Sequence, residues 1–242
     1  MLELRIASKR MPLGEALLQD IAFSGAPGDV IALLGPSGVG KTSTLRILLG
    51  LDTAFEGAVH RGSARVGALF GEPRLLPWFT LGDNIRLTLP PEQAPPDIAG
   101  LLAELGLPGA ERLYPRQLSL GMARRAALAR AIAAAPDILV LDEPFASLDA
   151  GTAALVAARI AREASERRAV LVFAGHDVVR AAALATEILV LSGRPATVLR
   201  RQRIAPEASA AQRETIAAAL AAACPFLVDA PAVREPLSHV PP

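Results

Sequence analysis

Leu2, Leu4 and Ile6 alternate with polar residues, the two-residue period of a half-exposed strand. A second extended stretch, 17–23, precedes the turn Ala26-Pro27-Gly28-Asp29. The run Val30-Ile31-Ala32-Leu33-Leu34 is apolar throughout and stops at a glycine. It is too short for a helix and suits a strand buried on both faces of a parallel sheet. Lys41, Leu45, Leu48 and Leu49 then follow helical spacing as far as Gly50, and strand-like segments fall at 58–61 and 66–70. From residue 72 the pattern changes. Pro73, Pro77, Pro90, Pro91, Pro95, Pro96, Pro108 and Pro115 punctuate the chain, with a helical pattern at 98–105 between them. Ser119 is placed to cap a helix running to about Ala135, which Pro136 ends.

Apolar strands and helices alternate afterwards: strand 138–141, helix 152–167, strand 169–174, helix 177–185 and strand 188–191. That order implies an α/β fold with a mostly parallel sheet covered on both faces. Residues 208–223 read as a C-terminal helix, and Pro225, Pro231, Pro236, Pro241 and Pro242 mark a poorly ordered tail. The expected organisation is a core formed by 1–71 and 131–203, an inserted, mostly helical subdomain over 72–130, and a C-terminal helix with a Pro-rich tail over 204–242.

Composition narrows the function classes. The 242 residues are 52% hydrophobic and 20% charged, enough to bury a core without covalent staples. Mean hydropathy is +0.37, a value that raises the question of a membrane span. The longest charge-free run, from Thr215 to Val228, is broken by Pro225 and falls short of the about 20 apolar residues a span needs. The alternating N-terminus is no apolar signal sequence. The expectation is a soluble, cytoplasmic protein able to dock on a membrane. A net charge of +1 gives no support to a nucleic-acid platform or a polybasic anchor. A single cysteine, Cys224, excludes an internal disulfide framework.

Two motifs carry chemistry. Gly35-Pro36-Ser37-Gly38-Val39-Gly40-Lys41-Thr42 fits G-x-x-x-x-G-K-[ST] and lies between a strand and a helix. Its glycines let backbone N–H groups turn inward around phosphate oxygens, and the helix start directs its positive end at the anion. Lys41 is placed for the β- and γ-phosphates and Thr42 for magnesium, with Ser43 adjoining them. Only one other lysine, Lys9, occurs in the chain. The second motif is Ile138-Leu139-Val140-Leu141-Asp142-Glu143-Pro144, an apolar strand ending in two carboxylates. Open α/β sheets bind ligands at that edge. Asp142 is expected to hold Mg²⁺, and Glu143 to polarise the attacking water, a general-base role worth about 10²–10⁴ in rate.

Four further segments complete a pattern: Leu118-Ser119-Leu120-Gly121-Met122 opening a helix, Ser147-Leu148-Asp149 after the acid pair, His176-Asp177 after the next strand, and Phe70-Gly71-Glu72-Pro73-Arg74-Leu75-Leu76-Pro77-Trp78 at the start of the insert. In motif order and spacing, from about residue 2 to 200, the chain resembles the ATP-binding subunit of ABC transporters. The wording of 72–78 and 119–129 is most similar to the nitrate, sulfonate and taurine importer group. The resemblance implies a P-loop NTPase (RecA-like) core with an N-terminal antiparallel β part and an inserted helical subdomain. It implies a Mg²⁺-dependent ATPase working as a head-to-tail homodimer. Each ATP would lie between the phosphate loop of one chain and Ser119, Leu120, Gly121 and Met122 of the other, with Ser119 and Gly121 on the γ-phosphate. Asp149 would tie the halves together across the interface, and His176 would contact the γ-phosphate and the attacking water. The alternative for His176 is a helix-start residue with no catalytic part. Two membrane permease subunits and a periplasmic or extracellular solute-binding protein complete the implied assembly, at the cytoplasmic face of a bacterial-type membrane. The implied cargo is a small anionic solute.

The chain departs from that family at several positions. The insert usually begins with a glutamine that touches magnesium and signals to the permease; here the position is Gly71, with Glu72 beside it. Slower hydrolysis or looser coupling follows. Met11 occupies the place where the family often stacks an aromatic on adenine, so selectivity for that base should be weak. Leu120 replaces a common glycine, a change expected to leave function intact. Trp78, the only tryptophan, either faces the permease or packs inside the insert. Arg112, Arg116, Arg124, Arg125 and Arg130 read mainly as a solvated helix face. The competing functions are a coupling or regulatory ABC subunit with weak hydrolysis, an ABC ATPase serving a different solute, and a soluble ABC ATPase acting on DNA or ribosomes.

Overall fold

The computed structural model describes residues 1–92, 94 and 96–227. Three strands, β1 (Leu2–Arg10), β2 (Ala16–Gly25) and β4 (Glu56–His60), form an antiparallel sheet in the order β2-β1-β4. The second sheet has six strands in the order β5-β6-β7-β3-β8-β9: β3 (Val30–Leu34), β5 (Val66–Leu69), β6 (Ile138–Asp142), β7 (Val170–Gly175), β8 (Glu187–Ser192) and β9 (Thr197–Arg203). Every pairing in it is parallel except β8 with β9.

The alternation of side chains on the central strands explains how the sheet is covered. On β6, Ile138 and Val140 join one buried cluster, with Leu2, Leu4 and Ile6 of β1 and Leu45 and Leu48 of α1 (Lys41–Leu48). Leu139 and Leu141 join the other, which includes Leu128 and Ile132 of α4 (Leu120–Ala133), Val156 and Ile160 of α5 (Ala150–Ser165) and Ala181 of α6 (Val178–Leu184). β3, β6 and β7 therefore read as continuous apolar runs, because both faces are buried.

Between β5 and α4 the chain forms α2 (Leu81–Arg86), α3 (Ile98–Glu104) and two short 3₁₀ turns. Thr80 Oγ1 caps α2 by accepting from Asp83 N, and Asp97 caps α3 by accepting from Gly100 N. Leu81 and Ile85 of α2 and Leu101 and Leu102 of α3 are buried in the same cluster as α4. The last helix, α7 (Ala210–Ala223), has a capping box at Ser209 and Gln212 and packs along α6. Arg213 on α7 donates to the carbonyls of Ala182 and Ala185, 2.9 and 3.0 Å away, at the carboxyl end of α6. A 3₁₀ turn (Pro225–Leu227) follows and buries Leu227, so the first residues expected in the loose tail dock on the core. The rest of that expected tail, from 228, lies outside the described residues. No helix among the described residues is long and apolar enough to cross a membrane.

The basic series differs from expectation. Arg124 donates to Gly71 O, Arg125 to the carbonyls of Leu105 and Gly106, and Arg130 to those of Pro73 and Arg74. These three are not a solvated face. Their planar, multi-donor head groups satisfy loop carbonyls that leave the sheet and helices without partners of their own. Trp78 is 68% exposed, which removes the reading in which it packs inside the insert.

Candidate nucleotide site

β6, β7 and β3 are neighbours in the sheet, and the candidate residues follow their carboxyl ends. The phosphate loop leaves β3, Asp142 ends β6, and His176 follows β7 directly. Asp142 is in register with Ala174, and Glu143 N donates to Ala174 O at 3.0 Å. Parallel register alone therefore brings three distant sequence segments to one edge.

Gly40 caps α1 with φ 110°, and a Cβ there would run into the Leu18 side chain, so glycine is required for both conformation and space. Gly38, with φ 77°, faces nothing within 4 Å, which leaves room beside the loop for a phosphate-sized group. Lys41 is 7% exposed, and its Nζ donates to Gly35 O at 2.7 Å and Pro36 O at 3.2 Å. The nearest carboxylate oxygen, Glu143 Oε1, is 3.9 Å away. Burial holds the ammonium below the ordinary lysine pKa against the opposing pull of Glu143 and Asp142. A buried cation whose close partners are neutral carbonyls is a site built for an anion.

Asp142 Oδ2 accepts from Thr42 Oγ1 at 2.8 Å, while its buried Oδ1 has no hydrogen-bond partner. Burial raises its pKa, with the Thr42 bond and Lys41 opposing. An unpartnered buried carboxylate oxygen beside a threonine hydroxyl is a fitting pair of oxygen ligands for Mg²⁺, which typically takes one or two protein oxygens plus phosphate and water. Thr42 and Asp142 would hold it. Among the described residues no group of three or more acidic, histidine or cysteine side chains could hold a metal ion.

Glu143 adopts φ 50°, a left-handed conformation that costs a β-carbon residue about 1–2 kcal/mol. The bend lets one carboxylate reach two partners: Oε1 faces Lys41, and Oε2 lies 3.2 Å from His176 Nδ1. His176 thus sits against Glu143, while Asp177 and not His176 caps α6, accepting from Arg180 N. Phe145, two residues after Glu143, packs edge-on against Phe173 at 6.1 Å and lies under Arg180 at 5.5 Å.

Two cavities meet at these residues. One, about 320 Å³, is lined by Met11, Leu17, Ser37, Gly38, Gly40, Lys41, Thr42, Ser43 and Glu143. Met11 thus stands beside the phosphate loop, 46% exposed, together with Leu17, which sequence reasoning missed because it reads as an ordinary strand residue. Ser119, Leu120, Gly121 and Met122 line none of it. Ser119 Oγ instead accepts from Met122 N at 3.2 Å, capping α4, and Leu120 is 52% exposed. Asp149 accepts from Thr152 N and Oγ1 at the start of α5, bonds that hold its carboxyl below the usual range.

The ABC transporter family model matches residues 18–146. The chain is 38% identical over 206 residues to the aliphatic sulfonates import ATP-binding protein SsuB 2 of Burkholderia lata, covering 82% of this chain and 75% of that protein. It is 35% identical over 222 residues to SsuB 1 of Pseudomonas syringae pv. syringae, covering 92% and 93%. The chain belongs to the ABC transporter family. Among solved structures, this ABC cassette aligns with a dimeric ATP-binding cassette in a post-hydrolysis state bound to ADP and Pi, with TM-score 0.75 and 25% identity over 85% of this chain and 99% of that one. The family activity, ATP hydrolysis coupled to transport, is the activity of this ABC protein.

Proposed function

We propose that this chain is the ATP-hydrolysing subunit of an importer for a small anionic solute of the sulfonate class that its relatives are named for. The observation that carries the reading is the convergence of Lys41, the Thr42–Asp142 pair and the Glu143–His176 pair at one sheet edge.

Lys41 and backbone N–H groups of the loop after Pro36 bind the phosphates, and the buried setting strengthens each contact. Mg²⁺, when bound through Thr42 and Asp142, supplies charge neutralisation at the phosphate oxygens. Glu143 takes the proton of the attacking water, and His176 holds Glu143 and the water in line. Ser119, Gly121 and Met122 line neither cavity of their own chain, and Leu120 lines only the larger one, which supports a head-to-tail homodimer in which a second copy supplies the segment. Asp149, which caps α5, ties the two halves together across that interface. The homodimer works with two permease subunits at the cytoplasmic face of the membrane, exposed Trp78 facing the permease, and an external solute-binding protein delivers the cargo.

The test is a Mg²⁺-dependent ATPase assay on the purified chain with a Glu143→Gln control. Turnover should fall about 10²–10⁴-fold, and the variant should form a dimer with Mg-ATP on size-exclusion chromatography. An equally active Glu143→Gln protein would reject the mechanism. Reconstitution with its permease and uptake of labelled alkanesulfonate against nitrate decides the cargo.

A further inference from the structure

Gly71 has no side chain with which to join the insert to the hydrolytic loop, yet the two are joined. Arg124, one turn into α4, donates from Nε to Gly71 O at 3.1 Å, where the chain leaves β5 for the insert. Its Nη1 reaches Ala146 O at 3.5 Å, in the loop between Glu143 and Asp149. The same arginine lines the larger cavity, about 630 Å³, which it shares with Ser37, Glu143 and His176. Among the described residues no carboxylate lies within ion-pair distance of it, whereas Arg180 in the same cavity is paired with Asp177 at 3.1 Å. Its directed contacts are therefore to backbone, not to a counter-ion.

A guanidinium is a rigid fork of donors and can hold two carbonyls at a fixed separation; a lysine ammonium is a point donor and cannot. Arg130, on the same helix, makes the instructive contrast. It donates to Pro73 O and Arg74 O at 2.9 and 2.8 Å, both in the insert, and has no contact with the loop at 146. Arg130 thus fastens α4 to the first residues of the insert, while Arg124 fastens α4 to the residue where the insert begins and to the loop that carries Asp149.

We propose that Arg124 is a positioning residue for hydrolysis: it ties the start of the insert, through Gly71 O, to the Glu143–Asp149 loop, through Ala146 O. Movement of the insert then moves that loop through a backbone tether that needs no side chain at position 71. The inference rests on the ATPase reading above and deepens it.

The experiment compares kcat, KM for Mg-ATP and thermal midpoint for the full-length wild type, Arg124→Ala, Arg124→Lys and Arg130→Ala. Arg124→Ala should lose about tenfold in kcat with KM within about twofold, the size of effect a coupling contact carries. Arg124→Lys, able to reach one carbonyl, should fall between, and that smaller kcat loss at unchanged KM is the test if the alanine variant does not fold. Arg130→Ala should lower the thermal midpoint but keep wild-type kcat. Wild-type kcat in both Arg124 variants overturns the proposal while leaving the ATPase reading intact. So does an equal kcat loss in Arg130→Ala, or a KM that rises in step with the kcat loss in Arg124→Ala. A wild type with no turnover overturns the ATPase reading and this proposal with it.

Discussion

Replacing Asp142 with asparagine should stabilise the nucleotide-free protein and destroy its response to Mg-ATP. The carboxylate is buried, its Oδ1 is unpartnered, and burial raises its pKa above 3.8. As pH rises past 3.8 the unfolded chain loses this proton first, so across the window between 3.8 and the raised value the folded state holds more protons. Stability falls with pH through that window, and the full penalty is present above it. An unsatisfied buried group costs about 1–3 kcal/mol. Asparagine keeps an acceptor for Thr42 and removes the charge, though its amide still lacks an acceptor, so about 1 kcal/mol should return. For a chain of this size that is about 2–4 °C in thermal midpoint. Mg-ATP at 100 times its dissociation constant should stabilise a competent protein by about 2.7 kcal/mol. Differential scanning calorimetry in the Glu143→Gln background, with and without Mg-ATP, should therefore show the two melting curves exchange order. A lower midpoint for Asp142→Asn without nucleotide, or an undiminished Mg-ATP shift, would refute the assignment of Asp142 as a buried carboxylate kept for a cation.

Met11→Tyr should lower the KM for ATP and GTP alike: a base stack is worth about 1–3 kcal/mol and is available to either purine, against about 0.3–1.5 for a methionine contact, so both KM values should fall severalfold, while the wild type should use both nucleotides comparably. Gly71→Gln should be tolerated, since a Cβ there meets nothing within 4 Å, and should raise the rate of ATP hydrolysis; an unchanged steady-state rate would count against a cost from the missing side chain. Arg213→Ala removes the donors at the carboxyl end of α6 and should cost about 2 kcal/mol, read as a drop of about 4–8 °C in midpoint, with Arg213→Lys recovering part of it.

The strand-helix alternation from 138 onward was readable because β6 and β7 are buried on both faces and β-branched or leucine-rich, so period and composition agree. β9 was missed: three of its seven residues are arginine, and an edge strand with one exposed side has no apolar run to announce it. α2 was missed because six residues between prolines are too few to establish a helical period. At the site, residue type and spacing pointed to Lys41, Thr42, Asp142 and Glu143, and the family resemblance to His176, but neither told how they touch. The left-handed turn at Glu143 has no signature in a Glu-Pro dipeptide. The arginines of α4 looked alike in sequence, and only the loops that pass beside them distinguish a tether from a solvated face.

The unfavourable features of this site share one remedy. Lys41 is a buried cation whose hydrogen bonds go to neutral carbonyls, with Glu143 Oε1 no nearer than 3.9 Å, and Asp142 is a buried carboxylate with an unpartnered oxygen. A phosphate chain without a cation would satisfy the lysine and oppose the aspartate; a divalent cation alone would do the reverse. Only the two together relieve both groups, so each must raise the affinity for the other, and by linkage by the same factor. The isolated ions should bind weakly even where the pair binds well. Titration calorimetry of the Glu143→Gln protein should find ATP affinity falling by about 5–150-fold when magnesium is withheld, and the coupling should vanish in Asp142→Asn while Lys41 still binds phosphate. Equal ATP affinity with and without the metal would mean that the Thr42–Asp142 pair serves the fold and not the ligand.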